Sequence, residues 1–197
     1  MLGDKKKLNK KTRTLSIEEY ELIINTIRNG FNYSIEFRPN ERIANILILE
    51  ANLGVRIGDL LNLKLMDFVK DGKRYRLDII EEKTGKSRTF TVPMDIYNFI
   101  KIYCLENNIK SKAKIFPITE RAVQKHLKAV CSYLNLSNIS THSFRKFFAT
   151  QIYINNNYDV ALVCELLQHS SVQTTQKYIG INNNKIENAL KNHIYLP

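Results

Sequence analysis

The segment STHSFRKFFAT, at residues 140–150, contains two basic residues whose spacing suggests chemistry. His142 and Arg145 are three positions apart at the start of a predicted helix, so both side chains project from one face. A histidine and an arginine at a helix N-terminus can together bind an anionic oxygen. In isolation, the two residues are equally compatible with an unrelated surface pair.

A second candidate is Arg56, which follows Gly54 in the apolar stretch LEANLGVRIGDLLNL. An arginine among apolar residues needs an acidic partner, and Asp59 can supply one from the next turn. Taken alone, the pattern favours a buried structural ion pair over a ligand site.

A third candidate is Lys83 in EEKTGKSR, where the first strand of a predicted hairpin meets its turn. A lysine at a hairpin tip can contact a ligand and have its pKa lowered there. By itself, a solvated turn lysine beside Lys86 and Arg88 is the better interpretation.

The segment LLQHSSVQTTQKY contributes His169 at the end of one predicted helix and Tyr178 in the next, which begins near Ser171. Considered singly, His169 could be a helix cap and Tyr178 a packing residue. None of the four segments is therefore decisive alone.

Several familiar chemical motifs do not occur in the sequence. The phosphate-binding loop G-x-x-x-x-G-K-[ST], the G-x-G-x-x-G turn, the G-x-S-x-G elbow and H-E-x-x-H are all missing. No cluster of carboxylates suited to Mg²⁺ is evident either. If the protein acts on phosphates, we expect it to use cationic side chains, with no metal and no cofactor.

The elements that must position these residues are mainly helical. Ser16 and Glu19 form a capping box that begins a helix ending at Gly30, and residues 31–40 are expected to be a connection. The only strand pattern, residues 73–93, alternates and has a turn at Thr84-Gly85, which predicts a hairpin. Further helices are predicted over 41–52, 94–107, 119–134, 141–156, 159–168, 171–179 and 184–192, with a helical turn over 57–63. The expected fold class is α+β, mainly α, with a small antiparallel hairpin or sheet.

The charge balance indicates an anionic partner. The 197 residues carry 30 Lys+Arg against 19 Asp+Glu, a net charge of +11. Nucleic acid, an anionic membrane surface or simple solubility could each explain this excess. Residues 1–14 hold six basic residues against Asp4 alone, which is typical of a solvated arm. With neither an apolar stretch of membrane-spanning length nor a signal peptide, the protein is expected to be soluble and cytoplasmic.

The three cysteines are odd in number and widely spaced, at positions 104, 131 and 164. This pattern indicates neither a disulfide framework nor a thiolate metal site. Each cysteine is expected to be a small buried hydrophobic residue.

Together, the four segments in this order resemble the catalytic domain of the tyrosine recombinases, or phage integrases. The resemblance covers about residues 15–180 and is sharpest over 140–180. LGVRIGDLLNL is similar to the first arginine box of that family, and KTGKSRTFTVP to its lysine hairpin. Two departures are Lys146, where the family often has His, and Gln168, where it often has Gly.

The resemblance implies six catalytic residues: Arg56, Lys83, His142, Arg145, His169 and Tyr178. Tyr178 would be the nucleophile, His142 the general base, and Lys83 the general acid that protonates the departing 5′ oxygen. The two arginines would bind the non-bridging phosphate oxygens, with a further hydrogen bond from His169, and Asp59 would orient Arg56. Contacts to DNA would come from Lys5, Lys6, Lys7, Lys10, Lys11, Arg13, Lys86 and Arg88.

The implied function is site-specific recombination through a 3′-phosphotyrosyl intermediate, without metal or ATP. The implied partners are double-stranded DNA and three further copies in a tetramer, with a monomer or weak oligomer away from DNA and no membrane association. The expected division is a basic arm at 1–14, the catalytic domain at 15–180 and a tail at 181–197 that docks on a neighbouring copy or caps its own domain. Because only the arm precedes residue 15, the chain is either a short stand-alone recombinase, which Met1 favours, or a catalytic fragment.

Three other functions remain open. The same residues would serve a type IB topoisomerase, and a DNA-binding regulator could keep the fold without the chemistry. A metal-free ribonuclease could use His142, His169 and Lys83.

Overall fold

The structure, a computed structural model, describes residues 12–179. Its helices are α1 (Ile17–Asn29), α2 (Glu41–Leu53), α3 (Ile57–Asn62), α4 (Met94–Glu106), α5 (Glu120–Tyr133), α6 (Thr141–Asn155), α7 (Val160–Leu167) and α8 (Val172–Ile179). Its strands are β1 (Phe31–Tyr33), β2 (Ile35–Phe37), β3 (Phe68–Asp71), β4 (Arg74–Ile80) and β5 (Ser87–Val92). The mainly helical composition and the order of the predicted helices within this range are confirmed. The predicted helix 184–192, the tail and the lysines at positions 5 to 11 lie outside the described residues.

Helices α1 and α2 begin and end at the residues that the sequence indicates. Ser16 accepts a hydrogen bond from the Glu19 amide, and the Glu19 side chain accepts one from the Ser16 amide. Helix α2 ends at Gly54, which is left-handed with φ 58°. A Cβ at Gly54 would overlap the ring of Phe148, so the close approach of α2 and α6 requires glycine here.

Two strand features were not predicted. The expected connection 31–40 contains the antiparallel pair β1–β2, in which Phe31 faces Phe37 and their rings stack with centroids 4.5 Å apart. Each of these strands is three residues long, too short to show an alternating pattern. The predicted hairpin is in fact a three-stranded antiparallel sheet, because β3 pairs with β4 along Phe68 to Asp71.

The core consists of two clusters. The larger one centres on α2, whose Ile46 and Leu47 are fully buried between α1 and α6. The smaller one joins the C-terminal part of α6 to α7 and α8 through Ala149, Tyr153, Val163, Leu167 and Ile179. Cys104 and Cys131 are buried as predicted, whereas Cys164 is only half-buried. Between residues 12 and 179, no helix is long and apolar enough to cross a bilayer.

Candidate active site

Predicted catalytic residues from all four segments lie around a cleft that His142 borders. A cavity of about 590 Å³ is lined by Arg56, Lys83 and His142. A second opening, of about 360 Å³, is lined by His142 and Tyr178, so His142 borders both spaces. The edges of the His142 and His169 rings meet the Tyr178 ring at centroid distances of 5.0 Å and 4.9 Å.

Arg145, in the first turns of α6, is the most deeply buried of the catalytic candidates. It is 1% exposed and donates to the carbonyls of Gly54, at 2.5 Å, and Leu167, at 3.2 Å. These carbonyls lie at the C-terminal ends of α2 and α7, where the helix dipole favours a cation. Burial lowers the pKa of Arg145, but a guanidinium remains charged in proteins.

Arg56 has a different acidic partner from the one predicted. Its Nη1 lies 2.5 Å from Oε2 of Glu81, which comes from the turn that carries Lys83. Asp59 instead accepts a hydrogen bond from the backbone amide of Glu82, at 2.9 Å. The expectation that Asp59 pairs directly with Arg56 is therefore wrong, because its carboxylate holds the lysine turn.

The lysine turn, residues 81–86, joins β4 to β5 and leaves Lys83 and Lys86 exposed. The Glu81 carbonyl accepts from the Gly85 amide, at 2.8 Å, and the Glu81 amide donates to the Lys86 carbonyl, at 2.9 Å. Gly85 has φ +65°, a conformation that glycine adopts without strain. The exposed ammonium of Lys83 is thus carried on a closed, hydrogen-bonded turn.

Arg88 is buried, which corrects the expectation that it contacts DNA. It is 2% exposed and donates to the carbonyls of Leu53, Gly54 and Leu166. The strand period could have revealed this, because Arg88, Phe90 and Val92 alternate onto the inward face of β5. Arg88 links the hairpin to the same two helix ends that hold Arg145.

Arg13 also differs from the expected mobile arm residue. Its guanidinium binds both carboxylate oxygens of Glu19 at 2.6 Å, and its Nε donates to the Ser137 carbonyl. The end of the basic arm is therefore attached to the domain at the start of α1.

His169 follows a helix end that has an unusual conformation. Gln168 is left-handed, with φ 51°, which explains why a glycine suits this position in similar sequences. The His169 Nδ1 lies 3.0 Å from the hydroxyl of the fully buried Thr175. Because this contact joins the end of α7 to α8, the orientations of His169 and of the Tyr178 helix are coupled.

The protonation states of the site residues suit base catalysis. Desolvation and the nearby Arg145 lower the pKa of the half-buried His169 to about 4. The same causes lower the pKa of His142 to about 4, although this residue is more exposed, and both rings are neutral at pH 7. Burial raises the pKa of Tyr178 to about 12, although Arg145 and Arg56 act to lower it. Desolvation of the phenol therefore outweighs the effect of the two cations on its pKa. A base is therefore needed to remove the phenolic proton.

Two further buried charged residues, neither of them among the predicted catalytic residues, lie beside the cleft. Lys146 is 7% exposed, donates to the Thr12 carbonyl at 2.8 Å and lies 5.2 Å from the centre of the Tyr178 ring. Glu50 is 1% exposed, and burial raises its pKa well above the usual range. The burial of Glu50 could have been predicted from its position within the apolar run of α2. No group of three or more potential metal-binding side chains occurs within residues 12–179.

Proteins with similar sequences and structures are named as recombinases or integrases. The phage integrase family matches residues 13–185. Tyrosine recombinase XerC of Caldanaerobacter subterraneus subsp. tengcongensis is 29% identical over 188 residues, covering 89% of this chain and 49% of that protein. The probable integrase/recombinase YoeC of Bacillus subtilis is 30% identical over 158 residues, covering 77% and 84%.

A solved structure supports the fold independently. The XerH site-specific recombinase, in a post-cleavage complex with a palindromic difH substrate, matches with a TM-score of 0.67 and 22% identity, over 92% of this chain and 53% of that one. The predicted fold class is thereby confirmed. The chain spans about half the length of XerC. Since the family match covers most of its residues, the protein belongs to the phage integrase family of tyrosine recombinases.

Proposed function

We propose that this protein is a site-specific DNA recombinase that cuts and rejoins strands through a covalent tyrosyl intermediate. The observation that carries the proposal is the position of Tyr178 beside two neutral histidines and a buried arginine. One histidine can accept the phenolic proton, while the arginine offers fixed positive charge to a phosphate. A tyrosine that served only for packing would not need two histidines and an arginine around its ring and hydroxyl.

The reaction begins with the removal of the Tyr178 proton by neutral His142 as the phenolic oxygen attacks the scissile phosphorus. Arg56, Arg145 and His169 stabilise the charge that develops on the non-bridging oxygens. The bond from phosphorus to the 5′ oxygen breaks, and Lys83 donates the proton that this oxygen takes up. The products are a 3′-phosphotyrosyl enzyme and a free 5′ hydroxyl.

The second step reverses the first with a different strand. A 5′ hydroxyl from the partner duplex gives its proton to the now neutral Lys83 as it attacks the phosphotyrosine. Tyr178 is displaced and regains its proton from His142. The covalent bond preserves the phosphodiester energy, so the cycle is balanced without a nucleotide cofactor.

The proposed partner is double-stranded DNA at paired recombination sites, bound by four copies of the protein in the cytoplasm of a prokaryote. DNA complexes such as that of XerH support this partner for a chain of the same fold. In this proposal, residues 1–14 contribute phosphate contacts, residues 15–180 form the catalytic domain, and residues 181–197 form a tail that docks on a neighbouring copy or caps its own domain. Lys86, exposed beside Lys83, is a further backbone contact.

A covalent trapping experiment tests the proposal. The full chain is incubated with a library of duplexes that carry a nick near a randomised segment, in EDTA and without ATP. The nick lets the short product strand diffuse away, so the covalent complex accumulates and can be isolated under denaturing conditions and sequenced. We expect an adduct on a defined set of sequences with the native protein and none with Tyr178→Phe.

Other outcomes correspond to the alternative functions. Relaxation of supercoiled plasmid without a preferred sequence would indicate topoisomerase activity. Sequence-specific binding without an adduct would indicate a regulator. RNA cleavage that survives Tyr178→Phe would indicate a ribonuclease.

A further inference from the structure

Glu81 is a buried carboxylate at the junction of two catalytic segments. It is 1% exposed, and its Oε2 contacts Nη1 of Arg56 at 2.5 Å and accepts a hydrogen bond from the Thr84 hydroxyl at 2.9 Å. Its other oxygen, Oε1, faces Arg88 at 4.0 Å. One side chain therefore contacts the arginine segment, the lysine turn and strand β5.

The main chain of Glu81 also closes the turn that carries Lys83. Its carbonyl accepts from the amides of Thr84 and Gly85, and its amide donates to the Lys86 carbonyl. The Thr84 hydroxyl, bound to the carboxylate, also accepts from the Lys86 amide at 3.3 Å. The conformation of the turn is thus tied to the position of the Glu81 carboxylate, which is fixed in turn by Arg56.

We propose that Glu81 is a positioning residue that sets Lys83, through the lysine turn, at a fixed place relative to Arg56. This inference rests on the proposed recombinase function. General-acid catalysis requires the ammonium within hydrogen-bond reach of the leaving oxygen, while Arg56 binds the phosphate that carries it. A rigid link between the two residues keeps that geometry when DNA enters the cleft.

The electrostatics of the cleft are consistent with a charged Glu81. Although burial acts to raise its pKa, the bonds from Arg56 and Thr84 lower it below the usual value for a glutamate. An ionised carboxylate binds Arg56 more strongly than a neutral one. Replacement by glutamine keeps the shape and removes the charge, so the link should weaken without leaving a cavity.

The chain offers a matched control in the same hairpin. Asp78 also binds an arginine and a threonine, namely Arg76 at 2.9 Å and Thr89 at 2.8 Å, but it lies on the exposed face of the sheet and contacts neither the turn nor Arg56. Asp78→Asn therefore removes an equivalent carboxylate charge from the hairpin without breaking the proposed link.

The test measures single-turnover cleavage of two substrates by Glu81→Gln. One carries the normal scissile phosphate, and the other carries sulfur in place of the bridging 5′ oxygen, a leaving group that needs no proton. We expect the variant to lose about 100-fold on the normal substrate, the lower end of what general-acid catalysis supplies, and less than about 10-fold on the sulfur substrate. Asp78→Asn should stay within about twofold of the native rate on both.

A second variant and a third substrate keep the inference falsifiable. Thr84→Val removes only the hydroxyl that ties the turn to Glu81, and we expect a smaller loss with the same rescue by sulfur. Equal loss on both substrates, or rescue only by an uncharged methylphosphonate, which does not need Arg56, would overturn the role through Lys83. If the native protein forms no adduct on either substrate, the proposed function itself fails. Adduct formation by the native protein without selective rescue refutes this inference alone.

Discussion

The two halves of the candidate site are held in different ways. The arginine frame, defined here as Arg88 and Arg145 with the carbonyls that they bind, is fixed at the ends of α2 and α7. Helix α8, which carries the proposed nucleophile Tyr178 and is named the nucleophile helix for that reason, has only Thr175 and Ile179 buried, and it packs on the smaller hydrophobic cluster. The positive charge is therefore built into the core, whereas the reactive phenol is carried by a short, lightly anchored element.

The arginines are therefore preorganised for the phosphate, whereas the Tyr178 phenol is not yet in its reactive state. Cations that are fixed before the substrate binds need no rearrangement when charge develops on the phosphate. Tyr178, the proposed nucleophile, has the opposite character, since its hydroxyl is buried and interacts with the Arg145 guanidinium without forming a well-oriented hydrogen bond. Its pKa is raised to about 12, so attack depends on entry of the phosphate and on the histidine base.

The largest expected effect comes from the nucleophile helix. Tyr178→Phe should abolish the covalent adduct completely, because no other group forms the phosphotyrosine. The same change should alter the free energy of unfolding by less than about 1 kcal/mol, because Arg145 keeps its two carbonyl hydrogen bonds when the Tyr178 hydroxyl is lost. Adduct gels and urea unfolding measure the two quantities. A large loss of stability would contradict the view that this region is lightly anchored.

The next largest effect comes from the arginine frame. Arg145→Ala should lower the cleavage rate by about 100- to 1,000-fold, as expected for one donor to a developing anion. It should also destabilise the fold by about 3 kcal/mol, because two buried carbonyls lose a charged donor. Unlike Tyr178→Phe, this variant is affected in both measurements. A stable but inactive Arg145→Ala would show that the frame is not built into the core.

Arg88 sharpens the same comparison with a residue that does not face the cleft. Arg88→Ala should cost about 2 kcal/mol of stability through the loss of three carbonyl contacts. The salt dependence of DNA binding should stay unchanged, because a buried side chain releases no counterions. The exposed Lys86→Ala provides the control, with native stability and a shallower dependence of log affinity on log salt. If Arg88→Ala kept native stability and made the salt dependence shallower, Arg88 would be a DNA contact after all.

How much of this site could be predicted from the sequence depends on whether the relevant contact is local or long-range along the chain. Helix starts such as Ser16 and Asp159 were predictable because caps are local, and their side chains accept the expected hydrogen bonds. The partner of Arg56 was not predictable from nearby residues. Asp59 is close in sequence, but the fold brings Glu81 to Arg56 through the pairing of β4 with β5. The burial of Arg88 could have been predicted from the two-residue period of strand β5. The overall basic charge of the chain suggested a surface position instead.

The smallest expected effect concerns the histidines between the two regions. In the unfolded chain a histidine titrates near 6.5, whereas His142 and His169 do so at about 4 in the folded protein. Between these values the unfolded state binds more protons, so the free energy of unfolding should fall as the pH is lowered from 6.5 towards 4. Above pH 7 the two histidines should cause no change in the free energy of unfolding with pH.

Urea unfolding at pH 7.5 and pH 5 measures this effect, with His142→Gln/His169→Gln as the test variant. Burial also lowers the pKa of His126, which packs perpendicular to the stacked rings of Phe31 and Phe37. The double variant should therefore keep the part of the decline that His126 contributes. An unchanged decline would mean that the two site histidines already protonate freely at pH 5. In that case burial and the nearby Arg145 would not be holding the two histidines neutral, and the base for Tyr178 would have to come from elsewhere.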